Sequence, residues 1–205
     1  MEFHIENTEV YGLNKSIVAS GNAMRTKMAN NTEDFTEKDL KRAKALGAAQ
    51  CGQGHDNFLN GIVVQFHLYA PLYIWKQIQR YHFLDFVSSQ STMHKLSNFD
   101  IAAQCTEDVD PVILSRYEEM LKLYHEFGND NPLLWRRLVA SLPCGFVLGA
   151  TMTTNYRQLK TIYLQRKNHR LKEWHEFCAW CESLPHFMEL IGLENNNRDA
   201  SETAE

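Results

Sequence analysis

The run IVVQFHLY, residues 62–69, constrains this chain more than any other stretch, because β-branched and aromatic residues at that density specify a core strand. Pro71 follows, and LYIWKQIQRY behind it reads as a helix opened by the proline, with Gln77 and Arg80 three apart on one face. GFVLGATMTT, residues 145–154, is a second core strand, weakened by two glycines. The opening FHIENTEV alternates apolar and polar residues as a half-buried strand does. Helices surround these strands. Residues 13–20 form a short one ending at Gly21, and after a polar loop at 22–34 Thr36 and Asp39 make a capping box ahead of DLKRAKALGAAQ. Asp110-Pro111 and Asn131-Pro132 each set a capping residue before a proline, which predicts helices over 111–127 and 132–142. Asn155 with Gln158 starts another, and the chain stays helical to Leu193 with a break at Pro185. The class is α+β with helices dominant, one domain over residues 1–193, followed by a tail at 194–205 whose composition predicts disorder.

At 205 residues and 44% hydrophobic content the chain can bury a full core. No apolar run reaches a membrane-span length of about 18 residues, and the N-terminus lacks the basic and apolar regions of a secretory signal, so the expectation is a cytoplasmic protein with no membrane partner. Five cysteines at irregular spacing predict free thiols rather than a disulfide framework. The net charge of −4 argues against a nucleic acid polymer as partner. That average hides an asymmetry. Residues 131–172 hold eight of the 21 basic residues and no acidic one, leaving 13 basic against 25 acidic residues elsewhere. Such a segment is either a local anion site or a basic face matched to an acidic face of a sister subunit.

Directly behind the apolar strand and helix lies QRYHFLDFVSSQSTMH, residues 79–94, where aromatic bulk is mixed with groups that need hydrogen-bonding partners once partly buried. A loop of that kind suits a pocket. Ser88, Ser89 and Ser91 lack the GxSxG setting of a nucleophile, so they read as hydrogen-bond partners of a phosphate or a base. In GQGHDNFLNG the glycines would let backbone approach a ligand beside His55 and Asn57; a polar turn is the alternative. Cys178-Ala-Trp-Cys181 after His175 is either one edge of a zinc site or a buried reduced pair, and the lack of a second CxxC favours the pair, with no metal. Arg166 falls on nearly the same helical face as Leu159, Ile162 and Tyr163, so its fork needs an anion, a pyrimidine edge or an internal carboxylate.

Two blocks of the chain resemble the flavin-dependent thymidylate synthase family. In HDNFLNGIVVQFHLYAPLYIWKQIQRYH the resemblance lies in a His, an apolar strand ending in Phe-His, an Ala-Pro pair, and a helix carrying Gln before a position like the family's Arg-His-Arg signature. In RRLVASLPCGFVLGATMTTNYRQLKTIYLQR it lies in a Leu-Pro, an Asn twelve residues after Pro143, and an Arg eleven residues after that Asn. Here the signature reads Arg80-Tyr81-His82, and His82 and Thr92 (or Met93, with one residue inserted) stand where the family has arginines.

The resemblance implies a central, mostly antiparallel sheet with flanking helices. It also implies FAD as cofactor, with NADPH and methylenetetrahydrofolate as co-substrates, and C5 methylation of a pyrimidine deoxynucleotide, dUMP to dTMP. It assigns His55, Asn57, Arg80, His82, Asn155 and Thr161 to the flavin side. Gln77, Ser88, Gln90, Ser91, Arg137 and Arg166 go to the nucleotide side, and Arg80 and Arg166 carry the catalytic charge. Self-association as a homotetramer is implied too. The replaced arginines leave two alternatives open, a hydroxymethylating variant acting on dUMP or dCMP, and a non-catalytic nucleotide-binding protein of the same fold.

Overall fold

The structure, a computed structural model, describes residues 1–29, 34–50, 52–128 and 131–193. The expected tail at 194–205, Cys51 and part of the polar loop after Gly21 lie outside the described residues. In chain order the elements are β1 His4–Tyr11, α1 Leu13–Ala19, α2 Glu37–Gly47, β2 Val63–Pro71, α3 Leu72–Ile78, β3 Asp85–Ser89, α4 Thr92–Lys95, α5 Ile101–Gln104, α6 Pro111–Phe127, α7 Pro132–Ser141, β4 Val147–Asn155, α8 Tyr156–Arg166, α9 Lys172–Ser183 and α10 Phe187–Leu190. The four strands form one sheet in the order β1-β2-β4-β3, so the architecture is the expected α+β. The chain divides into two compact units, residues 1–8 with 65–153 and residues 9–64 with 154–205.

The caps form as the sequence dictates. Thr36 accepts the N–H of Asp39 while Asp39 accepts the N–H of Thr36, which starts α2. Asp110 and Asn131 accept from Val112 and Leu133, each ahead of a proline, and Asn155 accepts from Gln158. Two expectations are corrected. Pro71 is not inside α3: with ψ at 153° it is extended, closing β2 and standing at the N-cap, and α3 ends at Ile78, before Arg80. Residues 85–89, read as loop, form β3, an edge strand antiparallel to β4 in which Asp85 faces Thr153 and Ser88 faces Thr151, with a register shift between Phe86 and Ser88. The shift breaks the two-residue period and every residue of β3 is exposed, so no burial alternation marks the strand.

In the first unit Phe66, Leu68 and Ala70 of β2 are buried and Gln65, His67 and Tyr69 are not, so the sheet has an apolar and an open face. Beside the sheet, Leu96, Ile101, Cys105, Tyr117, Leu138 and Phe146 form a core cluster. Tyr117 donates its hydroxyl to Leu138 O at 3.0 Å, and Gln104 donates to Val147 O at 2.9 Å. Main chain satisfies both of these polar side chains, whereas the buried Oγ1 of Thr106 finds no partner among the described residues.

The second unit packs α8, α9 and α10 through Tyr156, Leu159, Ile162, Trp174, Phe177, Phe187 and Leu190, all nearly without solvent contact. Burial of each such side chain stabilises by about 1.5–3 kcal/mol. Gly47 at the end of α2 lets its backbone meet α10, because a Cβ there would lie 1.9 Å from Leu190 O.

Candidate functional site

On the open face of the sheet, His67 and Tyr69 of β2, Ser88 and Ser89 of β3, Gln90, and Gly149, Ala150 and Thr151 of β4 line a hollow of ≈ 200 Å³. The bulge in β3 decides this grouping: it brings Ser88 opposite Thr151 on the same face as Asp85 and Thr153. Gln90 closes the end of the strand pair. Its backbone N–H donates to Gly149 O at 2.9 Å, and its side-chain oxygen accepts from Gly149 N at 2.8 Å, so its amide –NH₂ is the part left to meet a ligand. Gly149 is required here, since a Cβ would stand 2.7 Å from Cε1 of Tyr69. The Tyr69 ring in turn stacks on His4, with centroids 4.3 Å apart and planes 10° off parallel. The result is a floor of flat rings edged by hydroxyls and an amide, which suits a planar, hydrogen-bonding guest.

The other expected site residues of this unit, Gln77, Ser91 and Arg137 from the nucleotide side and Arg80 and His82 from the flavin side, are placed as follows. Gln77 is half-buried on α3, and Arg80 and His82 are exposed in the turn after it, where Arg80 N donates to Gln77 O at 3.3 Å. Ser91 accepts the N–H of His94 at 3.2 Å and so starts α4, keeping its O–H as a donor. Arg137 is exposed on α7. Ser88 and Gln90 share the hollow with residues that sequence reasoning missed as site residues, namely His67, Tyr69 and Thr151. For His67 and Tyr69 the signal in the sequence was the polar side of the alternation in VVQFHLY.

In the second unit, Asn155 ends β4 and caps α8, which carries Thr161 and Arg166. Asn155 uses its oxygen on the helix cap, and Thr161 donates back to Arg157 O at 3.2 Å. Arg166 ends the helix half-buried, its Cζ 4.4 Å from the centroid of the Trp174 ring. His169, next along the same turn, is held below the usual histidine range, first by burial and then by the charges of Arg166 and Arg170. This is a concentrated positive field on a rigid support. His55 and Asn57 are exposed and flank Asp56, which has no solvent exposure and pairs with Arg157 Nε at 3.1 Å and Lys160 Nζ at 3.2 Å, both on α8.

The CxxC pair is buried on α9. Burial pushes the Cys178 thiol up to about 11 and Cys181 well above its ordinary value, so both remain protonated. His175 is exposed and bonds to the carbonyl of His169, and among the described residues no group of three His, Cys, Asp or Glu is arranged to hold a metal ion.

No family model matches the chain, and no curated protein matches it in sequence. Solved structures do match it in shape. A flavin-dependent thymidylate synthase from Helicobacter pylori, complexed with FAD and dUMP, superposes with a TM-score of 0.70 at 15% identity, over 95% of this chain and 100% of that one. The chain has the flavin-dependent thymidylate synthase fold. A second structure described as that H. pylori synthase with FAD and dUMP gives 0.69 at 13% identity, over 93% of this chain and 97% of its own. A UMP/dUMP methylase from Streptomyces cacaoi, bound with 5-Br dUMP, gives 0.64 at 14% identity, over 92% and 94%. The thymidylate synthase fold expected from the two sequence blocks therefore extends over nearly the whole chain. No helix among the described residues is long and apolar enough to cross a membrane.

Proposed function

We propose that this protein alkylates C5 of a pyrimidine deoxynucleotide with flavin, converting dUMP to dTMP with methylenetetrahydrofolate as carbon donor and NADPH as reductant. The observation that carries the reading is full-length likeness to a synthase whose structure holds FAD and dUMP. The donor chemistry of the residues fits those guests. On the flavin side His55, Asn57, Arg80, His82, Asn155 and Thr161 present imidazole, amide, hydroxyl and guanidinium groups, matched to the pyrophosphate and carbonyl oxygens of FAD. The carboxylate of Asp56, between His55 and Asn57 in sequence, is already neutralised by Lys160 and Arg157 and does not repel an anion. Reduced flavin, when bound, supplies the hydride.

The chain's own residues bind and orient. Ser88, Gln90 and Ser91 offer hydroxyl and amide donors to a base or phosphate, Gln77 would orient the pyrimidine, and Arg137 would meet the phosphate. Arg80 and Arg166 would stabilise negative charge as it develops on the base. Residues 1–193 would work as one domain, and the protein as a cytoplasmic homotetramer.

A hydroxymethylating variant on dUMP or dCMP is the second reading, favoured by His82 and Thr92 standing where the resemblance places arginines. Incubation with FAD, NADPH, methylenetetrahydrofolate and a panel of dUMP, dCMP and UMP, read by mass, tests both. A net gain of one methylene unit on dUMP supports the first reading, and a gained hydroxymethyl group supports the second. A yellow protein that alters none of the nucleotides removes both, and a colourless one that takes up no FAD leaves a non-catalytic nucleotide binder.

A further inference from the structure

Asp56 and Lys160 are 104 residues apart in sequence and form an ion pair with almost no solvent contact. The three donors of the Lys160 ammonium are all engaged, to Gly47 O at 2.8 Å, Ala49 O at 2.6 Å and Asp56 Oδ2 at 3.2 Å. Arg157 Nε holds the other carboxylate oxygen at 3.1 Å. One lysine thus fixes both ends of the segment between α2 and the 3-10 turn at Asn57–Gly61 onto α8. Burying such a group is an inefficient route to stability, because an apolar replacement of similar volume is often neutral or better. What it does provide is fixed geometry. Gly52 and Gly54 lie within the segment at φ of 98° and 80°, and the local backbone bonds near them, Gln53 N to Gln50 O at 3.2 Å and Asn57 N to Gly54 O at 3.4 Å, are long, so local chemistry holds its shape only weakly. His55 and Asn57, on either side of Asp56 in sequence, are exposed to solvent.

We infer that Asp56 and Lys160 are positioning residues: their buried pair presets His55 and Asn57 on α8 for binding the flavin. The inference rests on the proposed flavin chemistry, and it adds that affinity comes in part from a segment ordered before the ligand arrives. A purely structural pair would differ in one respect. Removing both charges together, in Asp56→Asn/Lys160→Met, leaves no fully buried charge unpaired, though Gly47 O and Ala49 O lose a donor, and should restore part of the stability that Asp56→Asn alone removes. A structural pair would then regain flavin binding along with stability, whereas a positioning pair would not.

The test titrates FAD into the full-length protein by quenching of flavin fluorescence, beside thermal denaturation of each variant. The expected result is that Asp56→Asn weakens FAD binding roughly tenfold or more, and that the double variant melts above Asp56→Asn while keeping the binding loss. Wild-type FAD affinity in either variant overturns the inference and leaves the flavin reading standing. A wild-type protein that binds no FAD overturns both. Amide hydrogen exchange without FAD gives a second readout: residues 52–57 should exchange slowly in the wild type and faster in Asp56→Asn, and equal exchange in the two proteins also overturns the inference.

Discussion

The guanidinium of Arg166 lies over the indole of Trp174, its carbon 4.4 Å from the ring centroid, at the end of a helix whose buried face holds Leu159, Ile162 and Tyr163. A planar cation stacked on a ring is fixed in orientation while its edge remains able to donate. The stack on Trp174 is one of the interactions that let an arginine share an apolar helix face.

Arg166→Lys should therefore reduce dUMP affinity more than it reduces stability. Lysine keeps the charge but loses the stacked plane and the fork, worth about 0.5–2 kcal/mol, or roughly 2- to 30-fold in Kd. Calorimetric titration of dUMP against both proteins measures the first quantity and a melting curve the second. An unchanged Kd would remove Arg166 from the nucleotide contacts.

Gly149→Ala should lower stability and reshape the hollow. The added Cβ would stand 2.7 Å from Tyr69 Cε1 and 3.2 Å from the side-chain oxygen of Gln90, so the ring must leave its stack on His4 or the β3 edge must shift. Overpacking of this kind costs about 1–3 kcal/mol, which for a chain of this size lowers Tm by roughly 2–12 °C. Scanning calorimetry checks it, and an unaltered Tm would mean that the ring swings out without cost.

Features set by neighbours in sequence were legible there, and features set by distant partners were not. Thr36 with Asp39, Asp110 with Pro111 and Asn155 with Gln158 each complete their bonds within three residues, so the helix starts could be read directly. The strand β3 gains its identity from β4, more than 60 residues on, and its bulge and exposure erase the alternation that would announce it. The same distance hid the hollow: His67 and Tyr69 read as one strand's polar side, but only the β3 register puts Ser88 beside them. Asp56 was overlooked between His55 and Asn57 because its partners, Lys160 and Arg157, sit on a helix a hundred residues away.

Cysteine reactivity should follow burial. Cys144 is exposed, whereas Cys105, Cys178 and Cys181 are buried and burial raises all three thiols. Since the thiolate is the reactive form, an alkylating reagent at neutral pH should modify Cys144 in the native protein and the other three only on unfolding. Peptide mass mapping before and after denaturant measures this. Rapid native labelling of Cys178 would show that α9 opens readily.

Stability should fall in acid through Asp39. Thr36 and Arg42 bond its carboxylate, which lowers its pKa from 3.8 to about 2, and Arg25 lies 3.4 Å away. The folded state therefore favours the ionised form. The stabilisation is fully present above the unfolded pKa near 3.8 and disappears as pH falls toward 2. Its size is about 1–2 kcal/mol, allowing for the partial solvent access of the two arginines. Asp39→Asn should lower the urea midpoint at pH 7, because the amide keeps one capping acceptor but loses the charge shared by Arg25 and Arg42. Repeating the unfolding series between pH 5 and pH 2 should bring wild type and variant together from above, the wild type losing its advantage as the carboxylate takes up its proton. If the gap stays constant across that range, the charge of Asp39 contributes nothing and only the shape of its side chain holds the start of α2.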